Sequence, residues 1–141
     1  MLESFRLHPS SPASWRVALE PVSFLDGQAA EADDKVVVKL REANRQQDLF
    51  GEDAGSYNPF RDVPQGIDRT GLTFGIGMHA CLGKALAAGT ADSKQIGMVA
   101  WIARGLLSAG IQRDLNNQPR LDQTIERETW QFFPVVLGQR A

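Results

Sequence analysis

The sequence predicts a mixed α+β domain: short strands and hairpins, an irregular middle, and one long helix behind a glycine-flanked cysteine loop. Three observations predict it. β-Branched and aromatic runs such as Lys35-Val36-Val37-Val38 are long enough only for small sheets. The stretch from Gly51 to Thr70 scatters Gly, Pro, Asn and Asp with no sustained period, so it is an irregular segment. From Leu82 to Leu107, apolar residues return at helical spacing. With 141 residues the chain has the size of one ordinary domain, and 1–141 is read as a single domain.

Leu2 to His8 reads as a short helix, stopped by Pro9 and Pro12 because proline has no N–H to continue it. Trp15 to Phe24 is strand-like, with Asp26-Gly27 as the turn signal. Lys35 to Leu40 is a second strand, and Glu42 to Phe50 a short helix. The irregular segment then leads through Gly71 to Gly77 into the cysteine loop. In the long helix, Leu82, Leu86, Ile96, Val99, Ala100, Ala103 and Leu106 mark one face. Gly89 and Gly97 each weaken it by about 1 kcal/mol unless close packing requires them. Gly110 is its stop. Asp114 to Pro119 is a polar turn, and Leu121–Ile125 with Gln131–Leu137 read as a closing hairpin.

An apolar fraction of 43% and a charged fraction of 23% are ordinary for a folded domain and exclude a disordered chain. The formal charge of −2 provides no general basic surface, so nucleic acid is not an expected partner. A single cysteine excludes an intramolecular disulfide and fits a reducing compartment. The chain has no C-x-x-C-H for covalent haem attachment. No run approaches the ~18 consecutive apolar residues of a membrane span. Acids and prolines stand too early in MLESFRLHPSSP for a signal peptide, and the expected location is cytoplasmic, with no membrane partner.

Cys81 is the residue most suited to chemistry. A lone cysteine is most often a small buried hydrophobe. This one sits between glycines 75, 77 and 83, in a loop that follows a strand-like segment and precedes a helix. Such a loop can leave a thiolate exposed, ringed by backbone N–H groups at the positive end of a helix dipole. A thiolate so held is an axial ligand for haem iron. His79, two residues earlier, is either a surface histidine or a cofactor contact; as an iron ligand it would compete with Cys81 for one face. Arg16 alternates with Trp15 and Val17 in its strand, and is either solvated or an anion partner through its planar fork. Glu3 and Arg6 form an i,i+3 pair of a kind common on solvated helices.

Phe74-Gly75-x-Gly77-x-His79-x-Cys81-x-Gly83 resembles the cysteine loop of the cytochrome P-450 family at every fixed position. The surrounding order agrees. Glu3-x-x-Arg6 followed by an arginine-bearing strand resembles the family's Glu-x-x-Arg helix and the strand after it. Ala43-Asn44-Arg45 resembles A-N-R-D, with Gln46 in place of the acid, and Tyr57-Asn58-Pro59-Phe60-Arg61 resembles F-x-P-x-R. Phe133-Pro134-Val135 resembles the apolar-Pro-Val signature near the family's C-terminus. The resemblance implies the C-terminal, haem-binding portion of that fold: short helix, small hairpins, meander, cysteine loop, long helix and closing hairpin.

The resemblance further implies haem b as cofactor. Cys81 would be the iron ligand and the catalytic residue. Phe74 would shield its sulfur, Gly75, Gly77 and Gly83 would shape the loop, and His79 and Arg16 would hold the propionates. Glu3, Arg6 and Arg61 take structural roles. The family's basic residue before the meander aromatic is replaced by Ser56; either Arg61 substitutes or the anchoring network is weaker. Pro12–Ser14 and Glu126–Thr129 match two substrate-facing turns. The resemblance begins at Leu2, so the family's distal helix, with its acid–alcohol pair, has no counterpart here and the portion is read as truncated. The implied function is monooxygenation of a small organic substrate, with electrons from a ferredoxin or flavoprotein. The alternative is a haem-binding or regulatory protein, or a remnant, without turnover of its own. Apolar faces left without their family neighbours imply a homo-oligomer or a complementary chain.

Overall fold

A computed structural model describes residues 1–90, 94–125 and 127–138. The chain divides into two compact units, Glu3–Thr73 and Phe74–Ala141 with Met1–Leu2. Among the described residues no helix is long and apolar enough to cross a membrane.

The Glu3–Thr73 unit opens with helix α1 (Leu2–Leu7). Strand β1 (Ser14–Val17) pairs antiparallel with β4 (Lys35–Val38), placing Trp15 opposite Val37 and Arg16 opposite Val36. Between them lies a second hairpin, β2 (Val22–Ser23) with β3 (Ala29–Ala30). Its turn is the expected Asp26-Gly27: Gly27 N–H bonds Phe24 O at 3.0 Å, and Asp26 Oδ1 accepts the Gln28 N–H at 3.0 Å. The single strand expected from Trp15 to Phe24 is therefore two strands in two sheets. They part after Val17, where Ala18 exchanges backbone bonds with Asp33 and Asp34 instead of continuing along the ladder. The helix expected from Glu42 to Phe50 is also two pieces, α2 (Leu40–Ala43) and α3 (Gln47–Phe50). Asn44 to Gln46 separate them, with Gln46 in an extended conformation. From Gly51 to Thr70 the chain is irregular, as its composition predicts.

The core of this unit is unusually polar. Leu7, Phe50 and Ala54 are buried beside Glu3, Arg6, Asn44 and Arg61. The Arg6 guanidinium lies 4.7 Å from the Phe50 ring centroid, so charge and aromatic face pack together.

The second unit begins with the cysteine loop, which contains a 3₁₀ turn at Gly77–His79. Helix α4 (Lys84–Ala88) follows, then α5 (Met98–Ser108). The continuous helix expected from Leu82 to Leu107 is thus broken. Gly89 takes a φ of 87°, ending α4, and forms an antiparallel bridge with Ile96. The backbone crosses itself there: a Cβ on Gly97 would collide with Ala87 O, and one on Gly89 with Gln95 O. The two glycines serve a close approach of main chain, not the interior of a helix.

Helix α5 stops where expected, at Ala109 and a left-handed Gly110. Strand β5 (Ile111–Arg113) pairs with β8 (Val135–Leu137), and β6 (Arg120–Leu121) with β7 (Trp130–Phe132) across a bulge. The expected closing strand Gln131–Leu137 is divided by Pro134, which has no N–H for a ladder. Its two halves join different sheets, and Pro134 O accepts the Asp114 N–H at 3.1 Å.

Candidate functional site

The cysteine loop is built by backbone bonds around one sulfur. Cys81 N–H donates to Phe74 O at 2.7 Å, closing the loop, and Ala80 N–H donates to Gly77 O at 3.0 Å within the 3₁₀ turn. Cys81 O accepts the Lys84 N–H at 3.2 Å, which joins the loop to the first turn of α4. Gly75 has a φ of 66°, and a Cβ there would lie 2.8 Å from His79 O, so the doubling-back requires glycine. Gly77 is also left-handed, with a φ of 61°. Gly83 differs: a Cβ there would meet only the Cys81 sulfur, at an ordinary 3.8 Å.

The thiol of Cys81 is free and exposed. Ile76, Met78, Leu82 and Leu86, its neighbours along the chain, are exposed and apolar. Among the described residues no group of three or more His, Cys, Asp and Glu side chains could hold a metal ion. A single soft donor at the surface of a tight loop, flanked by apolar side chains, fits one protein ligand to the iron of an apolar macrocycle better than a multidentate ion site. The residues present therefore fit haem at the sulfur. His79 lies in the same loop, exposed. Phe74 is half-buried, with the Lys84 ammonium 6.0 Å from its ring centroid.

Arg16 belongs to the other unit. Its side chain is exposed, and its Nη1 donates to Ser14 Oγ and to Trp15 O, each at 2.7 Å. With Trp15, Val17 and Lys35 it lines an open surface cavity of about 450 Å³. Two cations on an otherwise apolar rim suit an anionic group attached to an apolar body. Of the two candidate substrate turns, Pro12 O accepts the Arg41 N–H at 3.0 Å. In the other, Thr129 bonds Arg127 O and Asp122, while Glu126 lies outside the described residues.

Glu3, Arg6 and Arg61 come together in one buried network. Arg6 makes a two-pronged pair with Glu3, at 2.8 and 2.6 Å, and donates to Asn44 O and Ala54 O. Arg61 Nε reaches the same carboxylate at 3.1 Å, and its other nitrogens bond Phe50 O, Asp53 and Ser56 O. Arg61 thus supplies the second cation on Glu3, and Ser56 contributes only its carbonyl. The Arg6 bond, with help from Arg61, lowers the Glu3 pKa from 4.5 to about 2, against the burial that would raise it.

Asn44 and Thr73 are the members that sequence reasoning missed. Asn44 is fully buried and bonds Arg6 O, Thr73 Oγ1 and the Leu72 N–H, while Arg45 reaches Leu7 O at 2.6 Å. The available signal was the Ala43-Asn44-Arg45 triplet, whose letters were legible but whose partners lie far away in sequence.

Comparison with known proteins agrees with this geometry. Indoleacetaldoxime dehydratase of Arabidopsis thaliana is 28% identical over 95% of this chain and 27% of its own length. Alkane hydroxylase MAH1 of the same plant is 31% identical over 60% of this chain and 18% of its own length. The solved structure of CYP154A1 from Streptomyces coelicolor superposes with a TM-score of 0.78 at 23% identity, covering 97% of this chain and 32% of that one. The chain thus spans about a third or less of each of these relatives. The family model described as cytochrome P-450 matches residues 1–90, and the chain, with its cysteine loop and its Glu3–Arg6–Arg61 network, belongs to the cytochrome P-450 family.

Proposed function

We propose that this chain is the haem-holding portion of a haem-thiolate monooxygenase, with Cys81 as the residue that would ligate the iron. The observation that carries the proposal is the exposed Cys81 thiol, presented by the Phe74–Cys81 backbone bond and the left-handed Gly75 and Gly77. When bound, haem b supplies the oxygen chemistry, one atom of O2 entering a small organic substrate with electrons from a ferredoxin or flavoprotein donor. Cys81 would give the thiolate that holds and tunes the haem iron. Phe74 would shield the sulfur, Ile76, Met78 and Leu82 would offer apolar surface to the ring, and His79 and Arg16 would neutralise its carboxylates. The two plant relatives bear the names of a dehydratase and a hydroxylase, so the substrate class is held at a small organic molecule.

Haem titration of the full chain tests this, with one haem per chain expected. Arg16→Ala and His79→Ala are each expected to speed haem loss, by about ten- to a hundredfold if the bond is buried in the complex, the equivalent of roughly 1.5–3 kcal/mol, and by less if it stays wet. Unchanged off-rates in both variants would remove these residues from the site.

A second reading is haem binding without turnover by these residues alone. The small share of each relative that the chain spans favours it. Efficient coupled oxygenation by the purified chain with a surrogate electron donor would exclude it; weak peroxide-driven oxidation would not.

A further inference from the structure

Building on the haem-thiolate reading, we infer that Asn44 is a positioning residue for the Cys81 loop, acting through the two residues that lead into it. Its side chain is completely buried. Nδ2 donates to Arg6 O at 2.9 Å and to Thr73 Oγ1 at 3.0 Å, and Oδ1 accepts the Leu72 N–H at 2.7 Å. The Thr73 hydroxyl donates onward to Phe5 O at 2.7 Å. One amide therefore grips two consecutive residues and ties both to α1.

Leu72 and Thr73 lie in neither helix nor strand. A segment without a ladder must satisfy its buried backbone groups elsewhere, and the Asn44 amide does this for Leu72. The next residue is Phe74, whose carbonyl takes the Cys81 N–H. By chain connectivity alone, the grip on Leu72 and Thr73 fixes the backbone from which the ligand loop departs. Only an amide offers both the donors and the acceptor that this place uses. The fit is close: a Cβ on Gly71 would collide with the Asn44 side chain.

The test separates positioning from mere stability. Exchange of the Cys81 N–H is followed by NMR in the full chain without haem, for Asn44→Ala, Thr73→Val and Thr73→Ser. Ala18→Gly, a buried substitution in the same unit whose backbone bonds go to Asp33 and Asp34 and not to this grip, is the control for lost stability. Asn44→Ala and Thr73→Val are expected to speed Cys81 N–H exchange at least tenfold beyond the control, and Thr73→Ser, which keeps the hydroxyl, to stay near wild type. Loaded with haem, the first two variants are expected to lose much of the thiolate-type ferrous–CO band that the control retains. If Asn44→Ala does not fold, the Thr73 pair decides. Exchange at Cys81 that follows global stability alone in every variant would overturn the inference. The exchange arm needs no haem, so its failure is distinct from failure of thiolate ligation in the wild type.

Discussion

Glu3 shows how one side chain organises a polar core. Two guanidiniums and the Asn58 N–H converge on its carboxylate, so the charge is kept although the site is buried. Its pKa is lowered, so its contribution is present above the unfolded value of 4.5 and is lost as pH falls toward about 2. That contribution is about 3 kcal/mol, because each tenfold change in proton affinity is worth about 1.36 kcal/mol. Acid unfolding of the wild type should therefore steepen across that window, and Glu3→Gln should flatten it. At neutral pH, Glu3→Gln is expected to cost about 3–5 kcal/mol, because it leaves the buried Arg6 guanidinium without its carboxylate, while Arg61 keeps its pair with Asp53; denaturant melts as a function of pH check both. The pairing of Glu3 with Arg6 was legible as spacing on a helix. Its burial was not, because the partners that bury it, Asn44, Ala54 and Arg61, come from segments whose approach no local pattern reveals. The loop motif around Cys81 was legible for the opposite reason: Phe74, Gly75 and Gly77, which close the loop on itself, lie within a few residues of it, whereas the hold of Asn44 on Leu72 and Thr73 was not.

At the scale of elements, local signals succeeded where the turn chemistry was explicit and failed where the chain changes partners. Asp26-Gly27 and Gly110 turned where their residue types demand. Strand β3 is only two alanines, weak strand formers that pair because the turn before them aligns them with β2. The helical spacing from Leu82 to Leu107 persisted through Gly89 and Gly97, so periodicity alone could not reveal the break. Two glycines separate crossing from composition. Gly97→Ala should destabilise by about 1–3 kcal/mol, since its Cβ would strike backbone that cannot yield. Gly105→Ala, inside α5 with open space around it, should stabilise by about 0.5–1 kcal/mol. Thermal melts of the two variants should move in opposite directions, and a similar response from both would contradict the crossing at Gly97.

Across the whole molecule, apolar surface is distributed unevenly. Among the described residues, the buried hydrophobic side chains Leu7, Ala18, Ala30, Leu40, Phe50 and Ala54 all fall within Glu3–Thr73. In the other unit, Trp101, Ile102 and Leu107 of α5 and Trp130, Phe133 and Leu137 near the C-terminal strands are exposed. We propose that this exposed apolar surface is an interface, since contiguous apolar patches of a few hundred Å² usually are. Light scattering across a dilution series should show concentration-dependent association, with itself or with an added complementary chain. A monodisperse monomer with a sharp thermal transition at low concentration would contradict it. The family and the outline of the fold were legible from short motifs, whereas the cover for this apolar surface was not, because hydrophobic spacing identifies a face without naming what lies against it. The most direct measurement remains the carbon monoxide difference spectrum of the reduced, haem-loaded chain. A thiolate-type band is expected in the wild type and should vanish in Cys81→Ser; a histidine-type spectrum from the wild type would contradict ligation by Cys81.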